Sequence, residues 1–138
     1  ISKDIDVNRK LASDLMIYLE KAQLINILRD NSFGISSLGK VEKIYLNNTN
    51  LSYALVGDMT DIGNARETVF LSLLNPIYDI TSSPYSDFIV DKKYTFELGG
   101  KNKKHKQIKD VKDSYLVKDD IEYGSANIVP LWAFGLLY

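Results

Sequence analysis

Leu11, Leu15, Leu19 and Ala22 recur at helical spacing, and Met16 and Ile17 widen the stripe, so an amphipathic helix is expected over Asp6–Ala22. Asp6 is placed to cap it by accepting from the free amides of the first turn. Leu24–Leu28 (LINIL) alternates and is β-branched, as a strand requires, and Lys43–Asn48 (KIYLNN) reads as a second strand. Between them Arg29–Lys43 holds Gly34, Gly39 and three serines and reads as a flexible connection. A helix followed by a two-stranded ribbon is what remains of a winged helix whose first helices are missing. It is equally a packing appendage that never touches DNA.

Asn50–Leu55 can form a turn or two of helix, and Gly57–Gly63 is rich in turn-forming residues. The strongest helical pattern follows over Gly63–Asn75, where Ala65, Val69 and Leu73, with Phe70 and Leu74 one step round, define an apolar face. Gly63 or Asn64 is expected to cap this helix, and Pro76 to stop it. Short strands come next, at Tyr78–Thr81, Asp87–Val90 and Tyr94–Leu98, with a tight turn at residues 91–93 that makes the last two a hairpin. Gly99 and Gly100 break the strand, Lys103–Asp110 is a weakly periodic helix candidate, and Ser114–Lys118 is a further strand. A polar loop then leads to an apolar closing segment, Pro130–Tyr138, with Pro130 in the first turn of a possible helix. This mixed order predicts an α/β sheet with helices on its faces.

Composition narrows the chemistry. The 138 residues, 45% apolar and 25% charged, suit one soluble globular domain's worth of chain. No apolar run approaches the roughly 18 residues of a membrane helix, no signal-peptide pattern opens the chain, and a cytoplasmic location is expected. Because the chain begins at Ile1 and enters a helical pattern almost at once, it reads as a piece of a longer protein. With no cysteine and one histidine, His105, any metal must be held by oxygen, which favours magnesium, manganese or calcium. Net charge is −1, yet residues 92–112 carry eight lysines against Glu97 and Asp110, a local excess of +6. Such a patch suits an anionic partner, or is simply a solvated face.

Asp87 and Glu97 lie five residues either side of position 92, so a turn there sets them opposite or diagonal to one another. Paired residues of an antiparallel hairpin are about 5 Å apart. Two carboxylates at that separation repel unless a divalent cation joins them or water reaches them. Phosphodiester hydrolysis uses such a cation, Mg2+ or Mn2+, to polarise the phosphoryl oxygen and acidify the attacking water. A nearby lysine then stabilises the developing charge. The plainer alternative pairs Glu97 with Lys101 or Lys103 in a salt bridge. Tyr85, Tyr94 and Tyr115 can stack on bases or pack across strands, His105 is expected to be exposed, and Trp132 to be core or an inter-module contact.

The order helix, strand, Asp-bearing strand, Glu-bearing strand, lysine-rich helix resembles the restriction-endonuclease-like PD-(D/E)xK superfamily. NARETVFLSLLN, DFIVDKKYTFELGGKNKKHKQIKD and IVPLWAFGLLY are similar to the C-terminal domain of a family of prokaryotic AAA+ ATP-binding proteins. The resemblance implies a partial winged-helix segment over 1–56 and a nuclease-like domain over 57–138, a mixed sheet flanked by helices. It implies an ATPase module upstream, where any ATP would bind, since no phosphate-loop motif occurs here. By that likeness Asp87 and Glu97 are the metal-binding acids of the hairpin, Glu67 is a further metal-binding acid on the first helix, and Gln107 is a polar residue on the helix after the motif. The chain departs from the pattern at position 99, where the motif lysine is replaced by glycine, and at Ser86, where no proline precedes the acid. Lys101 is the nearest replacement, about 13 Å from Glu97 on a straight strand, brought closer if the glycines fold back. The resemblance therefore implies DNA engaged by Lys101, Lys103, Lys104, Lys106 and Gln107, with metal-dependent cleavage. The alternative is an inactive scaffold that contacts the upstream ATPase module or a second copy of itself.

Overall fold

The structure, a computed structural model, describes residues 8–30 and 41–137. The expected capping residue Asp6 and most of the connection after Arg29 lie outside the described residues. Helix α1 (Arg9–Lys21) is capped by Asn8, whose side chain accepts from the Leu11 amide at 2.8 Å. Strands β1 (Ile25–Arg29) and β2 (Val41–Leu46) form an antiparallel ribbon with Ile25 opposite Leu46 and Leu28 opposite Lys43. Helix α2 (Thr49–Val56) ends at Gly57, whose φ of 55° is open to glycine at little cost, and a 3-10 turn over Gly57–Met59 follows.

Helix α3 (Ile62–Leu74) starts directly after Asp61, whose side chain accepts from the Asn64 amide at 2.7 Å. The cap is therefore Asp61 rather than Gly63 or Asn64, because an aspartate oxygen can reach an orphan amide that glycine cannot satisfy. The buried face is also rotated from the expected one. Thr68, Phe70, Leu71 and Leu74 are buried, while Ala65, Val69 and Leu73 flank them half-buried. Thr68 reaches the interior because its hydroxyl finds a partner, Asn64 Oδ1, at 3.2 Å.

A five-stranded mixed sheet forms the second half, with strands in sequential order: β3 (Ile80–Ser82), β4 (Phe88–Val90), β5 (Tyr94–Gly99), β6 (Ser114–Lys118) and β7 (Ile128–Pro130). The first two pairings are antiparallel and the last two parallel. Asp91 and Lys92 take φ values of 50° and 57°, and the Lys93 amide closes the turn on the Val90 carbonyl at 3.1 Å. Two expectations fail here. The residues after Gly100 make successive turns rather than the helix expected over Lys103–Asp110, and β7 forms where no strand is expected, ending on Pro130, the residue read as the first turn of a closing helix. The closing segment is a 3-10 helix, Leu131–Leu136, which Pro130 precedes as the last residue of β7.

The core lies between α3, the 3-10 helix and one face of the sheet. Phe70, fully buried, stacks on Phe88 with centroids 5.3 Å apart and meets Phe134 edge-on at 4.9 Å. Leu28 and Tyr45 of the ribbon belong to the same buried cluster as Phe70, Phe88, Val90 and Leu98. A chain of amides ties the ribbon to α3 as well: Asn75 donates to Asn26, and Asn26 to Asn47. The opposite face carries Thr95, Glu97 and Leu116, and the turns after Gly100 cross it, anchored by the fully buried Ile108, whose carbonyl accepts from the Ser114 hydroxyl. No helix among the described residues is long and apolar enough to cross a membrane.

Candidate functional site

Asp87 stands one residue before β4, and the register of Phe88 with Phe96, continued by one position, sets it across from Glu97. Its amide donates to the Phe96 carbonyl at 3.2 Å, and its Oδ2 accepts from the Leu98 amide at 2.7 Å. A side chain thus stands in for a ladder carbonyl, which fixes the carboxylate at the end of the strand pair. Burial pushes the Asp87 carboxyl up to about 6; the charges of Glu67 and Glu97 raise it too, against the Leu98 amide and Lys43, which lower it.

Glu97 is 2% exposed, an unusual place for a carboxylate. Lys103 Nζ lies 2.5 Å from its Oε1, while its Oε2 has no partner among the described residues. The lysine that reaches the acid is Lys103 and not Lys101, because the Lys103 amide closes a turn on the Gly100 carbonyl at 2.9 Å and folds the chain back. Gly99 permits the return. A Cβ on Gly99 would stand 2.5 Å from both Cβ and Cγ of Lys103, so the lysine stem occupies the volume of a side chain at position 99.

The N-terminal part of α3 overhangs this end of the sheet. Glu67 Oε2 accepts from the Tyr45 hydroxyl at 2.5 Å and lies 3.6 Å from Lys43 Nζ. Burial, with Glu67 next, pushes the Tyr45 hydroxyl far up, so it stays protonated as a donor. Arg66 pairs with Asp119 at 3.0 Å, and its guanidinium lies against Gly100, 3.3 Å from where a Cβ would be. Lys43, Tyr45, Arg66 and Asp119 escape the sequence reading. The signal for the first two is the spacing of Lys43 and Tyr45, which puts both on one face of β2.

The remaining site candidates are spread over the following turns. Lys101, Lys104, Lys106 and Gln107 are exposed; Lys101 uses its carbonyl to accept from Lys118 Nζ at 3.0 Å. His105 is half-buried rather than exposed, and its Nε2 meets the Asn127 amide group at 2.5 Å. Tyr94 and Tyr115 pack across strands with centroids 6.2 Å apart, and Trp132 is exposed with its indole N–H on the Ile121 carbonyl at 3.2 Å.

The donor set fits a hard divalent cation. Glu97 offers an orphaned buried oxygen, and Asp87 offers the oxygen that Leu98 does not engage. Among the described residues no group of three His, Cys, Asp or Glu side chains converges to hold a metal; Glu67 lies near enough for its charge to act on Asp87.

No protein-family model, curated protein or solved structure matches the chain. The site's chemistry therefore stands on its geometry.

Proposed function

We propose that this chain is a nucleic-acid-engaging domain of restriction-endonuclease-like architecture that cleaves phosphodiesters with a divalent metal, Mg2+ or Mn2+. The observation that carries the reading is the grouping of Asp87, Glu97 and Lys103: two acids across a hairpin and a lysine returned to them by the turn after Gly100. A cation bound between Asp87 and Glu97 would supply Lewis acidity to the phosphoryl oxygen and lower the pKa of an attacking water. Lys103 sits beside that position, where an ammonium stabilises charge that develops on the phosphoryl oxygens. Asp87, held by the Leu98 amide, keeps its free oxygen oriented, and Tyr45 and Lys43 both engage Glu67 Oε2. Arg66 and Lys101 supply positive charge around the same end of the sheet for the flanking phosphates, and Lys104 and Lys106 add exposed positive charge on the following turns.

The test is cleavage of supercoiled, linear, single-stranded and branched DNA by the 138-residue chain with Mg2+ and with Mn2+, beside Asp87→Ala, Glu97→Ala and an EDTA control. Cutting that needs metal and both acids is expected. No cutting under any condition would shift the reading to a scaffold that binds protein partners, including an upstream ATPase module.

A further inference from the structure

A cleft of about 680 Å3 opens over the sheet face that carries the acid pair. Its walls are Pro84, Tyr85, Ile89 and Val111, and its rim carries Lys43, Asp30 and Glu42. Ile89 and Thr95, which line it, are a cross-strand pair. Strand alternation puts Asp87 and Glu97 on the same face, two residues or about 7 Å further along. A strand whose phosphate sits at the acids therefore has its neighbouring nucleotide at the cleft.

Tyr85 is presented to that space. It is 66% exposed, and its ring stacks on no other ring among the described residues, in contrast to Tyr94 and Tyr115. Its position is fixed by a local turn: Ser83 Oγ accepts from both the Tyr85 and Ser86 amides, at 3.2 and 3.1 Å. The volume falls in the ~300–1,000 Å3 range of small-molecule sites, and the walls are mainly apolar with a few polar groups, which suits an aromatic heterocycle.

We infer that the cleft bounded by Tyr85, Ile89 and Val111 receives one unpaired nucleobase next to the phosphate held at Asp87 and Glu97. The strand engaged is then single-stranded or frayed at that nucleotide, since a base stacked and paired in a duplex cannot enter a concave site. This inference rests on the nucleic-acid reading above and adds the substrate class to it. Deoxyribose and ribose strands share the chemistry, and both are tested.

The experiment measures binding with Ca2+ in place of Mg2+, a hard cation that can hold the phosphate at the acids, with intact strands verified on gels, using DNA and RNA oligonucleotides carrying 2-aminopurine, single-stranded and in duplex. The expected result is tighter binding of single strands, fluorescence quenching by stacking, and a roughly tenfold or greater loss of affinity with Tyr85→Ala that Tyr85→Phe restores. Because Tyr85 is exposed, the alanine variant keeps its fold. Equal affinity for single strands and duplex, or quenching that survives Tyr85→Ala, overturns the inference. The two readings fail separately. Single strands bound through Tyr85 but never cut would sink cleavage and keep the cleft; duplex cut through Asp87 and Glu97 with no effect of Tyr85→Ala would do the reverse.

Discussion

Lys103 fills, from the turn beyond the strand, the volume that Gly99 leaves empty, and in doing so brings an ammonium to the buried carboxylate of Glu97. The glycine and the lysine are one device, since any side chain at position 99 must displace the stem that lies there. Gly99→Ala is accordingly expected to break the Lys103–Glu97 contact and lower cleavage about as much as Lys103→Ala does. Placing the lysine on the strand instead, as Gly99→Lys in the Lys103→Ala background, should restore part of the activity. Cleavage rates at saturating Mg2+ decide it, and a Gly99→Ala variant with unchanged rate would break the link between the two positions.

Removing the ammonium should also cost stability. A buried acid left without its counter-charge is destabilising by about 3 kcal/mol. Lys103→Ala is expected to show such a loss in urea melts, and Glu97→Gln in the same background should recover much of it. A Lys103→Ala loss within about 0.5 kcal/mol would mean that solvent already screens the pair.

The Asp87 carboxyl gives a pH signature. Its ordinary value is 3.8 and burial raises it to about 6 in the folded chain, so between those values the folded state holds a proton that the unfolded state has released. Stability from this group is complete below pH 3.8 and is lost as pH rises through about 6. Asp87→Asn, which keeps an acceptor for the Leu98 amide, should raise the melting temperature at pH 7.5 in EDTA by roughly a few degrees and leave it nearly unchanged at pH 4. An equal shift at both pH values would place the effect elsewhere.

Much of this was open to reading along the chain, and the reasons differ by element. Counting outward from a tight turn at residues 91–93 is enough to juxtapose Asp87 with Glu97, because a hairpin's register follows from its turn. The mixed sheet follows from the order of short alternating segments. The lysine was hidden because distance along an extended strand favours Lys101, whereas the return depends on a turn at Gly100 and on empty space above Gly99. Strand β7 was hidden for another reason: three residues ending in proline carry no alternation, and no hairpin turn announces their parallel pairing with β6. The weak periodicity over Lys103–Asp110 reflected a single anchor, Ile108, and not a helical face.

Tyr45 links the ribbon to the site, so its hydroxyl should matter for both stability and activity. Tyr45→Phe deletes the hydrogen bond to the Glu67 carboxylate and is expected to cost about 2 kcal/mol, in the range for bonds to charged groups. Chemical denaturation measures this, and a neutral result would show that Lys43 alone holds Glu67.

The core makes the sharpest stability forecast. Phe70 touches Phe88, Phe96 and Phe134 at once, and Phe70→Ala should cost about 3–5 kcal/mol. That is a large share of the roughly 5–15 kcal/mol typical of a domain, so the far-ultraviolet circular dichroism of this variant should melt well below the parent.

The two outermost strands of the sheet, Ile80–Ser82 and Ile128–Pro130, are three residues each, and the second closes on a residue with no backbone N–H to offer. Open sheet edges are templates for adding foreign strands, and shortness and proline are ways of blunting them. Copies of this protein should therefore resist joining edge to edge into continuous ribbons, even when crowded along a shared polyanion.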